Sequence, residues 1–256
     1  MKVVILAGGK GTRLAEETES KPKPMVEIGG KPILWHIMKH YQRHGFNEFL
    51  IALGYKGAEI KKFFLEEHTF TGSMTIGPTG SPGFYHDQLR EGWTVHLIDT
   101  GLETMTGGRI KRLQQYLDST FMVTYGDGVG TVDLGRLLAM HKMLGKMATL
   151  TAVRPPARYG GLLFGENGSV RFTEKSQAGE GWINGGFLVC EPGIFDYLVD
   201  DSTSFEVGLL ESLAADNQLS AFRHYGFWQC MDTLREKQLL ENLWDTGDAP
   251  WKTWED

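Results

Sequence analysis

Residues 3–7, Val-Val-Ile-Leu-Ala, run into Gly8-Gly9-Lys10-Gly11-Thr12-Arg13, and Lys21-Pro22-Lys23-Pro24 follows shortly after. No other stretch limits the fold as tightly. A short apolar run bounded by glycine reads as a strand of a parallel sheet, buried on both faces. The glycines let the backbone turn sharply and approach a ligand, because no Cβ intrudes. Backbone N–H groups exposed in such a turn form a concave anion site. Arg13 adds a planar, permanently charged fork that matches phosphate geometry. Lys23, set between prolines, is a point charge on a stiffened segment. These devices together point to a nucleotide held by its phosphates.

Two familiar nucleotide fingerprints are excluded. Leu14 stands where a dinucleotide-binding turn needs a third Gly or Ala, which argues against a nicotinamide-dependent oxidoreductase. No G-x-x-x-x-G-K-[ST] follows, which argues against a Walker-type ATPase. On the glycine turn alone, an ordinary strand–loop with Arg13 and Lys23 on a solvated face stays open.

Further along, Ile33, Leu34, Ile37, Met38 and Tyr41 recur at helical spacing between Pro32 and Gly45. Residues 49–53 form a second buried-type strand, and Ile60, Phe63 and Phe64 mark a short helix. This alternation predicts a parallel sheet with right-handed crossovers. From residue 66 to 92 the periodicity dissolves among glycines and prolines, and that segment reads as a lid, a subunit contact or a plain surface insertion. Strand patterns return at 93–99, 121–125 and 148–153. Helix faces are traced by Ile110, Leu113, Tyr116 and Leu117, and by Leu134, Leu137, Leu138 and His141. The Gly107-Gly108-Arg109 start of the first of these helices is a second candidate anion site.

Beyond Arg154 the strands shorten, around 161–164, 170–174 and 187–190, and suggest a smaller, partly antiparallel elaboration. Thr203 and Glu206 have the spacing of a capping box, and so do Thr233 and Glu236. Trp251 and Trp254 in the tail need cover, from this chain or from a second subunit.

Asp127 lies between two glycines at the end of a strand, and Asp232 immediately precedes a helix start. Asp127 alone also suits a turn. Asp232 alone also suits a helix dipole, worth about 0.3–1 kcal/mol. Beside a phosphate-binding turn, a carboxylate repels its ligand unless a divalent cation stands between them. Mg²⁺ fits, since it is typically held by one or two carboxylates together with substrate phosphates and water.

The totals exclude other classes. With 256 residues the chain can bury a full core, and a net charge of −6 argues against general nucleic-acid binding. No apolar stretch approaches a membrane span, and the first apolar run is too short for a secretory segment. Cys190 and Cys230 lack metal spacing and read as free thiols in a reducing compartment, although a disulfide between them stays open. The expectation is a soluble, cytoplasmic protein.

The opening stretch resembles the sugar-nucleotide pyrophosphorylase (nucleotidyltransferase) family, whose signature is L-A-G-G-x-G-T-R-L followed by K-P-K-P. Here these are residues 6–14 and 21–24. Residues 25–38, 99–101, 105–109, 124–128, 183–186, 226–229 and 231–235 extend the resemblance over nearly the whole chain. They are similar to the branch of the family that takes CTP and glucose 1-phosphate.

The resemblance implies one α/β unit over residues 1–256, with a Rossmann-like, mostly parallel sheet flanked by helices. Residues 1–153 would form the nucleotide-binding half, and residues 154–256 a smaller, partly antiparallel sugar-binding half ending in a helix. It implies that Leu6, Ala7, Gly8, Gly9, Lys10, Gly11, Thr12 and Arg13 hold the nucleotide. Lys23 would grip the triphosphate, Thr104 and Arg109 would contact the nucleotide, and Gly126 would lie under the ribose. Asp127 and Asp232 would bind Mg²⁺, and Arg13, Lys23 and Asp127 would be the catalytic set. Glu174, Lys175, Asn184 and Gly185 would hold the sugar phosphate. Ser176 replaces the proline that follows Glu-Lys in related sequences, which bears on the aim of Lys175. The implied partners are CTP, glucose 1-phosphate and further copies of the chain, in a role supplying activated sugar for surface-polysaccharide dideoxyhexoses. Transfer to another base or sugar, such as thymidylyl transfer, is the near rival; a silent sugar-nucleotide-binding module is the distant one.

Overall fold

Val3, Val4 and Ile5 are all fully buried, because the strand that carries them is covered on both faces. The computed structural model describes residues 1–69, 73–76, 82–85, 91–155, 161–164, 169–173 and 181–255. In chain order, the strands that build the site are β1 (Lys2–Ala7), β2 (Glu48–Leu53), β3 (Thr94–Asp99), β4 (Phe121–Tyr125), β5 (Gly128–Gly130), β6 (Ala148–Val153), β7 (Ile183–Cys190), β8 (Leu219–Arg223) and β9 (Trp228–Cys230). The longer helices are α1 (Ile33–Arg43), α2 (Gly57–Thr69), α3 (Thr106–Arg112), α4 (Leu134–Leu144) and α5 (Leu234–Asp245).

Seven strands form one sheet in the order β8-β6-β7-β4-β1-β2-β3. β1 pairs in parallel with β2 and β4, β2 with β3, and β6 with β8. β7 runs against both β4 and β6. The antiparallel character expected after Arg154 therefore enters the main sheet through β7. A separate antiparallel pair, Gly161–Phe164 with Val170–Thr173, stands outside the sheet. Strands from both halves of the chain share one sheet.

Period-two alternation sorts the core into two layers. Val3, Ile5, Ile51, Leu53 and Met122 face the layer that includes α1 and Leu240 of α5. Val4, Leu6, Leu50, Ala52 and Val123 face the layer that includes Ile110 of α3 and the segment around Phe205 and Leu213. Fully burying one such aliphatic side chain is worth about 1.5–3 kcal/mol, so one unbroken apolar strand anchors both layers.

Local expectations hold in most places and fail in a few. Pro32 sits just before α1 rather than inside its first turn, in a short ribbon of Lys31–Pro32 with Glu27–Ile28. Within residues 66–92, α2 continues to Thr69, and Ser73–Ile76 pairs with Pro82–Tyr85. A structureless stretch is thus corrected to a helix end and a hairpin. Residues 70–72, 77–81 and 86–90 of that segment lie outside the described residues. Both cysteines are free, Cys190 buried and Cys230 partly so.

The tail folds back on its own chain. Trp251 is fully buried, its ring stacked with Phe227 at 5.6 Å, and Trp254 meets Trp35 edge-on at 5.6 Å. His36 lies beneath them. Its Nε2 donates to the Ile28 carbonyl at 2.8 Å, and its Nδ1 accepts from Trp251 Nε1 at 3.4 Å.

Candidate functional site

Strands β1, β2 and β4 end side by side, and parallel sheets bind ligands beyond these carboxyl ends. β1 delivers the glycine turn, in which Gly11 takes a left-handed backbone with φ of 64°. Leu6, Ala7 and Gly8 are buried, whereas Gly9, Lys10, Thr12 and Arg13 are exposed. Lys10 reaches across the turn to Glu103 at 3.1 Å.

The turn is held from behind by Arg109. That guanidinium is buried and donates to the carbonyls of Gly8 at 3.1 Å, Leu53 at 3.1 Å, Gly101 at 2.6 Å and Leu102 at 3.3 Å, and to Thr100 Oγ1 at 2.9 Å. A Cβ on Gly8 would collide with it, so glycine is required there by close approach. Burial, followed by the neighbouring Arg112, lowers the Arg109 pKa. Thr104 is buried beside Gly101. Arg109 thus lies beneath the turn and shapes it, and Thr104 packs against Gly101, whose carbonyl Arg109 also binds.

The second candidate anion site is overturned. The start of α3 is covered: Gly108 N donates to the Thr203 carbonyl at 3.1 Å, and Met105 N donates to the Asp201 carbonyl at 2.8 Å. The backbone of 201–205 takes the place that an anion needs.

The Lys-Pro-Lys-Pro segment packs under β4. Gly126 N donates to the Leu6 carbonyl at 3.1 Å, and a Cβ on Gly126 would lie 2.9 Å from Pro24. This brings Lys23 against Gly11 of the glycine turn, where it is only 8% exposed. The Asp127–Gly128 step begins β5, which pairs antiparallel with β9, and Met231 N donates to the Asp127 carbonyl at 2.8 Å. Two aspartates 105 positions apart by number, 127 and 232, are thereby set side by side.

Lys23 Nζ donates to Asp127 Oδ2 at 2.6 Å and also to Asp232 Oδ1. Arg13 Nη1 donates to Asp232 Oδ2 at 2.7 Å. Burial alone would lower the Lys23 pKa, but Asp127 and Asp232 outweigh it and raise it. The Asp232 backbone is fixed by the Thr233–Glu236 capping box, in which Glu236 Oε2 accepts from Asp232 N at 2.8 Å and from Thr233 N at 2.9 Å.

Carboxylate oxygens from two segments therefore converge on one cationic atom. That convergence fits a divalent ion held by two carboxylates. Among the described residues no group of three or more His, Cys, Asp or Glu forms a metal cage. A site of two carboxylates is the kind that substrate phosphates and water complete for Mg²⁺.

Asn184 lies at the start of β7, on the far side of β4 from the glycine turn. Its Oδ1 accepts from Gly186 N at 3.0 Å, and its Nδ2 donates to Tyr125 Oη at 3.3 Å. Gly185 is buried, and its carbonyl accepts from Trp228 Nε1 at 2.8 Å. Glu174 and Lys175 lie outside the described residues.

Tyr125 and Glu206 were not among the residues that motif reasoning singled out for the site. Tyr125 Oη donates to Glu206 Oε1 at 2.5 Å. The capping box predicted at Thr203 and Glu206 is corrected by the structure. Ser204 is the cap, its Oγ accepting from Val207 N at 3.3 Å, and Thr203 Oγ1 accepts from Asp200 N at 3.2 Å. The Glu-at-fourth-position signal was present, but it pointed to the cap.

The nucleotidyl transferase family matches residues 2–229. The chain is 51% identical, over all of both sequences, to the glucose-1-phosphate cytidylyltransferase of Salmonella typhi. It is 43% identical to a probable glucose-1-phosphate cytidylyltransferase of Bacillus subtilis (strain 168), over 99% of this chain and 100% of that protein. Among solved structures, HddC from Yersinia pseudotuberculosis superposes with a TM-score of 0.69 at 26% identity, covering 95% of this chain and 99% of the other.

Proposed function

The chain belongs to the nucleotidyl transferase family, and from that premise we propose that its cleft transfers a cytidylyl group from CTP to α-D-glucose 1-phosphate, giving CDP-glucose and pyrophosphate. The chemistry is carried by one observation: Lys23 held between Asp127 and Asp232 beside the glycine turn. The choice of cytosine and glucose rests on the full-length relatives.

In the reaction, an oxygen of the sugar phosphate attacks the α-phosphorus of CTP. A new P–O bond forms there, and the bond from the α-phosphorus to the bridging oxygen breaks. Its electron pair leaves with pyrophosphate. The attacking oxygen is already anionic at neutral pH, so no strong base is needed. Catalysis is then mainly positioning and charge stabilisation.

The glycine turn offers its backbone to the triphosphate, Arg109 keeps that turn in shape, and Thr104 would contact the nucleotide with it. Arg13, 73% exposed on its side chain, is free to leave Asp232 for a phosphate. Lys23 exchanges its carboxylate partners for phosphate oxygens. At about 4 Å two unit charges interact by roughly 4 kcal/mol at an effective dielectric near 20, and several such pairs must offset the repulsion between two polyanions. Asp127 and Asp232 would hold Mg²⁺, which when bound supplies further charge neutralisation. Asn184, Gly185, Glu174 and Lys175 would face the sugar phosphate. The same reading has the enzyme working in the cytoplasm as an oligomer, upstream of surface-polysaccharide dideoxyhexoses.

Pyrophosphate release from CTP and glucose 1-phosphate, with and without Mg²⁺ and against a panel of the other nucleotides, tests the reading. Turnover is expected with CTP and Mg²⁺. A stronger signal with another nucleotide would overturn the base assignment, and no turnover with any of them would overturn the activity.

A further inference from the structure

Glu206 has a sequence context that should use its carboxylate on the adjoining helix end. Instead its carboxylate bonds mainly to other segments. Its Oε1 accepts from Tyr125 Oη at 2.5 Å, and its Oε2 accepts from Thr106 Oγ1 at 3.1 Å and from Ser204 Oγ at 3.0 Å. The end of β4, the start of α3 and the 204–210 turn meet at this one side chain.

The backbone that presents it is unusual. Both Gly208 N, at 3.0 Å, and Leu209 N, at 3.2 Å, donate to the Ser204 carbonyl. The second bond spans five residues and makes Phe205–Leu210 a π-helical turn. Such turns are rare and occur frequently at functional sites.

The network has a direction. An ionised carboxylate only accepts, so Glu206 draws the Tyr125 O–H towards itself. Tyr125 Oη is left as an acceptor, and Asn184 Nδ2 donates to it at 3.3 Å. Gly186 N fixes the other end of the same amide through Asn184 Oδ1. One amide carries two N–H donors and two acceptor lone pairs. The bonds made among the described residues use one of each, leaving one donor and one acceptor position on the amide. Burial, and then the Glu206 charge, raise the Tyr125 pKa, so the phenol keeps its proton. The sheet order places this amide on the opposite side of β4 from the glycine turn, so the two can face different parts of a bound sugar nucleotide.

We propose that Glu206 is a positioning residue for the sugar-phosphate side of the cleft, which acts through Tyr125 to orient the amide of Asn184 and so sets discrimination among hexose 1-phosphates. This rests on the cytidylyltransferase reading and assigns its sugar selectivity to residues outside the phosphate-binding motifs.

Steady-state kinetics of Glu206→Ala, Glu206→Gln and Tyr125→Phe test it, with thermal unfolding as the folding control. Glu206→Ala should raise the KM for glucose 1-phosphate about tenfold, the scale of one net hydrogen bond, and leave the KM for CTP within about twofold. Its preference for glucose over galactose 1-phosphate should narrow by a similar factor. Glu206→Gln, which retains an acceptor for Tyr125, should restore most of the loss. Tyr125→Phe should reproduce Glu206→Ala, and the double variant should be no worse than either, because the two act in series. If Glu206→Ala does not fold, Tyr125→Phe carries the same readings. Equal changes in both KM values, or no change in either, would overturn the proposal alone. A wild type silent on CTP and glucose 1-phosphate would overturn the functional reading and the proposal with it.

Discussion

Two polar clusters sit at opposite ends of the same strands. At the carboxyl ends of β1 and β4, Lys23 is shared by Asp127 and Asp232, with Arg13 on the rim. At the other end, His141 lies between Thr149 Oγ1, 2.9 Å from its Nδ1, and Glu191 Oε1, 3.0 Å from its Nε2. Thr120 donates to Glu191 at 2.9 Å, and Thr149 meets Ser220 at 2.7 Å. The lower cluster has the carboxylate, imidazole and hydroxyl of a hydrolytic triad. Yet Thr149 is wholly buried, at the end of the sheet where such folds do not bind ligands. Carboxylates are partly open in both, Glu191 at 36% against Asp127 at 29% and Asp232 at 13%, but the imidazole and hydroxyl of the lower cluster are buried whereas Arg13 of the upper one is 73% exposed. Residue types do not separate a site from a structural network. Access, and whether each group's bonds are exchangeable, do.

The sharpest way to break that contrast is at the upper cluster. Asp127→Asn and Asp232→Asn should each lower turnover about 100-fold or more, roughly 2.7 kcal/mol of barrier, while thermal unfolding stays near wild type. Wild-type rates at low Mg²⁺ in either variant would remove that residue from the reacting centre.

The lower cluster should respond the other way. His141→Ala leaves Glu191 and Thr149 without their shared partner inside the fold. It should cost about 2–3 kcal/mol in urea unfolding, with both KM values unchanged. A selective loss of turnover with stability intact would make the lower cluster functional after all.

Acid should separate stability from the cleft by a third route. His36 is pulled from 6.5 down to about 4 by burial, against bonds to the Ile28 and Lys31 backbone that raise it. His40 is pulled down to about 3 by burial and then by the nearby His44. Between the folded and unfolded values, the unfolded chain binds more protons. Stability is thus fully present above pH 6.5 and is lost as the pH falls towards 4. At pH 5 the loss should be about 2 kcal/mol from His36 alone, read as a lower urea midpoint. A midpoint that does not move between pH 7 and 5 would show that these imidazoles are protonated in the fold.

The smallest effect is expected at the support of the upper cluster. Glu236→Ala removes the capping box and the partner of the Asp232 N–H. It should cost about 1 kcal/mol and lower turnover only a few-fold. A loss as deep as that of Asp232→Asn would mean that the cap, rather than the carboxylate, sets the site.

Much of this was legible in the residues. The apolar run 3–7 read as a doubly covered strand, because it is short, rich in β-branched residues and bounded by glycine. Lys23, Asp127 and Asp232 were legible as candidates from their places, a lysine between prolines, an aspartate between glycines at a strand end and one just before a helix start, together with the family resemblance. Their meeting was implied only by the family resemblance, because local pattern cannot show β5 pairing with β9 across about 100 intervening residues. The covering of the α3 start by 201–205, and the stacking of Trp251 on Phe227, are likewise contacts between segments apart in sequence.

The two Thr-x-x-Glu segments divide what sequence determined from what the fold decided. At Thr233 both bonds of the box form, since the partners are local. At Thr203 the same letters fail, because Asp200 takes the threonine while Tyr125 and Thr106 take the glutamate. Local pattern chose the strands, the helices and the bend of the glycine turn, because the preferences that set them lie within a few residues. Only tertiary structure chose the partners of side chains that had competing offers, since those bonds are won by whichever acceptor or donor the packed core brings within reach.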